Sequence, residues 1–495
     1  MQLKNLFAKV VNPKPVTEFF RVFFVILSFQ LLTLNLFAGE AFLLSGNDQS
    51  LNVRSHLLMN AKKEINVAYY ILGNDSVAKQ FLILLREAAL KGVDVKLIID
   101  YHGKQIDSLF LYKVLHDDTG KIIKNFKIKI YNPPELYTAV LATYRMHDKI
   151  FLVDDEYLIS GGRNIANGFF GYNYTDETGK KAAVYEDLDI LITQSSAIQQ
   201  SKDYFQDLWN SRFVIDYLSY SRSFFNLDIC TKMLVLNSTC RKIKNLNSHT
   251  YSQSDFEKIK MFNLMHIQDF KKDYNYAMAN TNPIKDVEFF YDRVETQSFI
   301  FSKSVMSISF QLYSQIVNAK KSVTIITPYF VITPEQELIF AILKMKGIPV
   351  TVITNSEASN DVLAAQVGYE KCKNTAKKHN LILREFNGPE TLHTKMVVID
   401  GEKYFIGSYN WDYRSQNINR EVGIYFDLND PSSQSLGRDL THYVDTLLGK
   451  SHQYEYPFKE ESSLAKIEDL FDTIVNKNYN RLFWETFYPL LKHQL

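Results

Sequence analysis

Cysteine is scarce in this chain. Its three copies, Cys230, Cys240 and Cys372, form no Cys-x-x-Cys pair and no His/Cys ligand spacing, which disfavours a structural zinc site. Cys230 and Cys240 can pair if the protein is exported, and two free thiols fit equally well. Charge of one sign is also missing. Against 56 Lys and Arg stand 55 Asp and Glu, a net of +1, so no basic field announces nucleic acid. There is no low-complexity tract, and an apolar share of 46% is ample for sizeable cores. The apolar run at the N-terminus, Val22 to Ala38, is short and contains Gln30 and Asn35, marginal for a bilayer core of ~30 Å. Lys4, Lys9, Lys14 and Arg21 precede it, against Glu18 alone. It reads as a signal-peptide core, with an imperfect cleavage region at Ala38-Gly39-Glu40-Ala41, or as a short anchor with its basic side in the cytoplasm. Both readings place the protein at or across a membrane, its main domain facing outside the cytoplasm.

What the chain does have is one eight-residue pattern twice. His147-Asp148-Lys149-Ile150-Phe151-Leu152-Val153-Asp154 and His393-Thr394-Lys395-Met396-Val397-Val398-Ile399-Asp400 both read H-x-K-x-x-x-x-D. At the same distance beyond each comes a glycine-led run ending in Asn, Gly161-Gly162-Arg163-Asn164 and Gly407-Ser408-Tyr409-Asn410. The β-branched, apolar interior of each pattern predicts a strand. On a strand, side chains two apart share a face, so His147 projects with Lys149 and His393 with Lys395. Asp154 and Asp400 fall on the opposite parity and suit turns, with Asp400-Gly401 the stronger hairpin signal. A two-residue loop at Asp400-Gly401 sets Ser408 opposite His393; a loop at Gly401-Glu402 sets Asn410 there.

These residue types have a common chemistry. A neutral imidazole is a nucleophile, an ammonium neutralises phosphate oxygens, and an Asn amide donates hydrogen bonds. Gly162 or Ser408 lets backbone N–H groups approach an anion. Two such patches facing each other would place a nucleophilic His on one side of a phosphorus and a proton-donating His on the other, with no metal required. Glu421 and Asp187, each placed after its Asn, are candidates for the carboxylate that orients an imidazole.

The paired motifs resemble the HKD signatures of the phospholipase D superfamily. Arg145-Met146-His147 and Gly161-Gly162-Arg163-Asn164-Ile165 are most similar to bacterial cardiolipin synthases. The resemblance spans roughly 41–495 and is weakest between about 226 and 285. It implies His147 as nucleophile, His393 as acid/base, and Lys149, Lys395, Asn164 and Asn410 as phosphate holders. It favours Asp187 over Asp189 and supports Glu421, and it places Asp361 and Tyr369 with Gly162 and Ser408 at the substrate. It implies no cofactor, phospholipids in a bacterial membrane as substrates and partner surface, and no nucleic acid. The implied reaction is phosphatidyl transfer, most closely cardiolipin synthesis from phosphatidylglycerol and a second phospholipid. The alternative is hydrolysis to phosphatidic acid, with a nuclease of the same superfamily more remote.

The organisation repeats too. Asn60-Ala61-Lys62-Lys63 and Asn318-Ala319-Lys320-Lys321 each precede a β-branched strand, a helix near 76–91 or 334–346 that ends in Lys-Gly, and a second strand. This is a βαβ unit occurring twice. The expected fold is α/β: two duplicated phospholipase D-like lobes with the active site at their interface. The division is 1–40 signal or anchor, 41–225 first lobe, 226–285 insertion, and 286–495 second lobe with its tail. Residues 196–225 read as helical. Met261, Phe262, Leu264, Met265 and Phe270 read as a packed helix, a lipid gate being the alternative. The tail from 460 is expected to pack on the second lobe.

Overall fold

The computed structural model describes residues 39–133, 144–172, 183–220, 253–293, 307–429 and 431–456. The apolar run to Ala38, Cys230, Cys240 and the tail from 460 lie outside them. Among the described residues no helix is long and apolar enough to cross a membrane.

Among the described residues, alternating apolar strands and helices assemble one continuous mixed sheet of sixteen strands. Outward from its centre, one half runs Gly39–Leu44, Asp189–Thr193, Tyr157–Gly161, Lys149–Val153, Glu64–Tyr69, Asp94–Asp100, Phe126–Tyr131 and Val214–Asp216. The other half runs Asn282–Tyr291, Val422–Asp427, Lys403–Gly407, Met396–Ile399, Val323–Ile326, Val350–Asn355, Ile382–Phe386 and Ser451–Gln453. The two lists match strand for strand, so the duplication seen in the two motifs extends to the whole lobe. The lobes join where Gly39–Leu44 runs antiparallel to Asn282–Tyr291, with Gly39 opposite Ile284 and Ala41 opposite Asn282.

Parallel strands buried on both faces carry near-continuous apolar runs, as Val95, Leu97, Ile98 and Ile99 do. The helices beside them stop where the sequence says they should. Ser76–Leu90 is capped by Asp75, which accepts from Ala78 N, and gives way to Gly92 at φ 101°. Pro334–Met345 opens on a Thr333/Gln336 capping box and gives way to Gly347 at φ 71°. Left-handed backbone after a helix favours glycine.

Both motif hairpins differ from the two registers expected. Val153 pairs with Tyr157 and Ile399 with Lys403, so each loop has three residues: Asp154-Asp155-Glu156 and Asp400-Gly401-Glu402. The first two residues of each loop adopt positive φ, as a two-residue type I′ turn also requires, so what departs from expectation is the third loop residue. The motif aspartates then do more than turn the chain. Asp154 accepts from the backbone N–H groups of Lys62, Lys63 and Glu64. Asp400 accepts from those of Lys320, Lys321 and Ser322. The repeated Asn-Ala-Lys-Lys segments are the donors, so the two repeats of each lobe are one device, fastening a hairpin to the start of the neighbouring strand.

Two expectations change. The helix read over 196–225 is interrupted after Asn210, because the β-branched Val214–Asp216 pairs with Phe126–Tyr131; residues 217–220 are helical again, and 221–225 lie outside the described residues. Residues 253–265 and 267–279 are helices resting on Asn47–Asn60 and Ser76–Leu90, but only Phe270 of the five residues read as packed is buried. Phe256 stacks on Phe110 and Tyr274 on His56. The packed side is therefore a different one, and Met261, Phe262, Leu264 and Met265 face outward.

Candidate active site

Each His-bearing segment is fastened to the backbone of the opposite lobe. His147 N donates to Arg420 O (2.9 Å), and Arg420 N donates to Arg145 O (2.8 Å). His393 N donates to Glu186 O (2.8 Å), beside a two-residue parallel pairing of Thr391–Leu392 with Tyr185–Glu186. These short bridges bring the two motifs onto one site.

The carboxylates cross over as well. His147 Nδ1 lies 2.9 Å from Glu421 Oε2, and His393 Nδ1 lies 2.6 Å from Asp187 Oδ2. Each imidazole is oriented by an acid from the other lobe. Spacing along the chain pairs each acid with the Asn before it and gives no hint of this exchange. Asp189, two residues on, faces away and pairs with the buried Arg54 and Arg163.

The acids are supported differently. Glu421 accepts from the hydroxyls of Ser408 and Ser415 and from Asn419 Nδ2. Ser408 therefore holds the acid rather than offering its hydroxyl to a ligand. At the equivalent place, a Cβ on Gly162 would come within 2.1 Å of Asp187 Oδ1, so only glycine leaves that carboxylate room. Ser415 and Asn419 were not anticipated as supports. Their signal lay in the polar run Arg414 to Asn419, which has no strand or core pattern to explain it.

Each lysine lies beside its own histidine. Lys149 Nζ donates to His147 O (2.7 Å), and Lys395 Nζ donates to His393 O and approaches His393 Nδ1 at 2.8 Å. Burial lowers Lys149 to about 7 and Lys395 to about 8. It also lowers both imidazoles to about 4, with the positive charge of each one's own lysine, and less that of the opposite lobe's, adding to the effect. Asp187 stays ionised: burial alone would raise it, but His393 and Lys395 beside it bring it down to about 2. Burial thus disfavours the protonated form of each imidazole, and an anion beside it would offset that cost.

Asn164 is buried, its Oδ1 accepting from Ile71 N (3.0 Å) while Nδ2 has no protein partner. Asn410 Oδ1 is likewise buried and without a partner. Unmatched buried amide atoms cost free energy unless a ligand meets them. Aromatic rings wall the site: Tyr70 stands edge-on to His147 at 5.2 Å, and Tyr185 and Phe169 flank His393 at 5.2 and 5.0 Å. Asp361 reaches the rim, accepting from the hydroxyls of Tyr185 and Tyr329. Tyr369 does not come to the site. It is buried on the helix Leu363–Lys378, because that face of the helix sets its hydroxyl on Glu385 and its ring under Lys373. Among the described residues, no three His, Cys, Asp or Glu side chains are grouped to hold a metal ion.

A family model described as a cardiolipin synthase, phospholipase D-like domain, matches residues 55–209 and 312–441, one stretch in each lobe. The chain belongs to the phospholipase D superfamily. At that level it is a phospholipid-modifying enzyme. It is similar to an uncharacterized protein of Helicobacter pylori, 28% identical over 79% of this chain and 76% of that one. It is also similar to cardiolipin synthase C of Escherichia coli, 24% identical over 75% and 77%. A cardiolipin synthase of Clostridium perfringens is 25% identical over 76% of this chain and 64% of its own length. Among solved structures, phosphatidylserine synthase of Haemophilus influenzae superposes with a TM-score of 0.60, 16% identity, and coverage of 93% and 98%. That likeness is one of fold.

Proposed function

We propose that this enzyme transfers a phosphatidyl group between membrane phospholipids, making cardiolipin from phosphatidylglycerol and a second phospholipid. The observation that carries the chemistry is the pair of imidazoles, each backed by a carboxylate of the other lobe and each with its own lysine beside it. His147 Nε2 attacks the donor phosphorus, forming a P–N bond as the P–O bond to the head-group alcohol breaks. His393, carrying a proton taken up from solvent as the anionic phosphate offsets the cost of its burial, gives that proton to the alcohol. His393 then takes the proton of the incoming hydroxyl, whose oxygen displaces His147 from phosphorus. Lys149, Lys395, Asn164 and Asn410 hold the phosphate oxygens through both displacements, as preorganised donors do in other enzymes. Glu421 steadies the imidazolium that His147 becomes when phosphorylated, and Asp187 does so for protonated His393.

The choice of a lipid acceptor over water draws on the similarity to the Escherichia coli and Clostridium perfringens cardiolipin synthases and on the Arg-Met-His-x-Lys and Gly-Gly-Arg-Asn contexts. Purified enzyme incubated with phosphatidylglycerol, with and without phosphatidylethanolamine, should yield cardiolipin. Phosphatidic acid as the sole product would make it a hydrolase.

A further inference from the structure

One residue stands immediately before each crossed acid and supplies the carbonyl that anchors the opposite lobe's histidine: Glu186 for His393 and Arg420 for His147. The two are equivalent in place and unlike in kind. Glu186 sends its side chain to Lys450 Nζ (2.9 Å) in a partly exposed ion pair. Arg420 is buried.

A guanidinium taken from water needs acceptors, and Arg420 finds them on both lobes. Nε donates to the Tyr131 hydroxyl (3.2 Å), at the end of the first-lobe strand Phe126–Tyr131, and the guanidinium lies 5.7 Å from the ring centre of Phe213. Nη1 and Nη2 donate to Asp292 O (3.3 Å) and Arg293 O (3.4 Å), just beyond the second-lobe strand Asn282–Tyr291. Tyr131 pairs in the sheet with Asp100, whose Oδ2 accepts from Met146 N (2.8 Å). The Arg420 side chain therefore rests on the corner that also holds the residue before His147.

What it holds in place is a single peptide unit. The Arg420 carbonyl accepts from His147 N (2.9 Å), and the amide of the same unit, Glu421 N, donates to Asp292 Oδ2 (2.9 Å). Asp292 N donates in turn to Glu421 O (3.1 Å). A peptide unit is planar and stiff. A tilt would displace the anchor of His147 and the Cα of Glu421 in different directions and spoil the 2.9 Å contact between imidazole and carboxylate.

We infer that Arg420 is a positioning residue for the His147 half-site. Its side chain, fastened to Tyr131, fixes the peptide that carries both the anchor of His147 and Glu421, and with it the alignment from which His147 attacks. The rate consequence rests on the nucleophile role proposed for His147; the alignment itself does not.

Full-length protein with ¹⁵N-labelled histidine reads the alignment directly. In Arg420→Met the Nδ1 proton resonance of His147 should move upfield or broaden, while that of His393 stays. Tyr131→Phe, which removes one hydroxyl and leaves the ring, should show the same change at smaller amplitude. With short-chain phosphatidylglycerol as substrate, Arg420→Met should lower kcat about 10²-fold and leave KM within about twofold, because alignment rather than binding is lost. Tyr131→Phe should cost about fivefold, and Arg420→Lys, which keeps a charge and a donor, should recover part of the loss. A moved His147 resonance with kcat intact would keep the positioning and remove the nucleophile role. A His147 resonance that stays put in every variant that folds, or that moves together with that of His393, overturns the proposal.

Discussion

At His147 the partner acid is Glu421, held by two serine hydroxyls and an asparagine; at His393 it is Asp187, with a glycine standing aside for it. The longer acid is positioned by three side-chain donors, while the shorter is positioned by the Leu188 N–H (2.8 Å) and by close packing against Gly162. The scaffolds beneath are the same: eight strands in one order, a three-residue hairpin, and an aspartate on three amides. Duplication kept what holds the lobe together and the His–Lys pairs. It let the acids, their supports and the flanking charges diverge. Two chemically equal half-sites would attack and protonate interchangeably; unequal ones allow each histidine a fixed role.

The largest effects should come from the histidines. His147→Asn and His393→Asn should each lower kcat by at least ~10⁴, the scale at which a nucleophile–base unit fails, with unchanged thermal unfolding. The two should differ when quenched early. The His393 variant should accumulate phosphatidyl-enzyme from a donor with a good leaving group, and the His147 variant should show none. Label trapped in the His147 variant instead would reverse the assignment.

Next come the crossed acids. Glu421→Gln and Asp187→Asn should each cost about 10³-fold, since a misoriented imidazole loses most of its catalytic value. Pre-steady-state kinetics should show Glu421→Gln slowing formation of the phosphatidyl-enzyme. Asp187→Asn should slow its resolution as well. Identical profiles for the two variants would remove the distinction between the half-sites.

The supports should matter less and unequally. Gly162→Ala forces a Cβ onto Asp187 and should cost about 10²-fold in kcat, whereas Ser408→Ala removes one of three donors to Glu421 and should cost about tenfold. Equal losses would mean that the two acids are held alike.

The smallest effect is in pH dependence. A free-enzyme lysine must be protonated to hold phosphate, so kcat/KM should fall as pH rises through about 7 to 8, with Lys149 titrating first and Lys395 after it. Bound phosphate favours the charged form, so the same limb in kcat should lie at higher pH. On the acid side, kcat/KM should fall as pH drops through about 4, where His147 gains a proton and ceases to be a nucleophile. An alkaline limb at the same pH in both parameters would mean that the lysines do not meet the phosphate.

Much of this was legible because the signal was local. Strand parity put Lys149 and Lys395 with their histidines, and the Lys-Gly endings marked where two helices stop. The hairpin register was not, because a loop with two residues at positive φ looks in sequence like a tighter turn. The exchange of acids was hidden for another reason: which lobe a carboxylate faces depends on the bridges Met146–Arg420 and Leu392–Glu186, contacts between residues 274 and 206 positions apart. Tyr369 was expected at the substrate from a resemblance around Gly368-Tyr369, but its helix face was not readable from two residues. Met261 to Met265 are apolar without being buried, since their helix meets the lobe through Phe256 instead.

The crossing of the acids can be observed without turnover. In perdeuterated protein with ¹⁵N-labelled histidine, each carboxylate-bound imidazole should show a downfield Nδ1 proton resonance. Glu421→Gln should remove the His147 signal and leave that of His393, and Asp187→Asn should do the reverse. Loss of the His393 signal on changing Glu421, with the His147 signal intact, would show each lobe serving its own histidine and contradict the shared site.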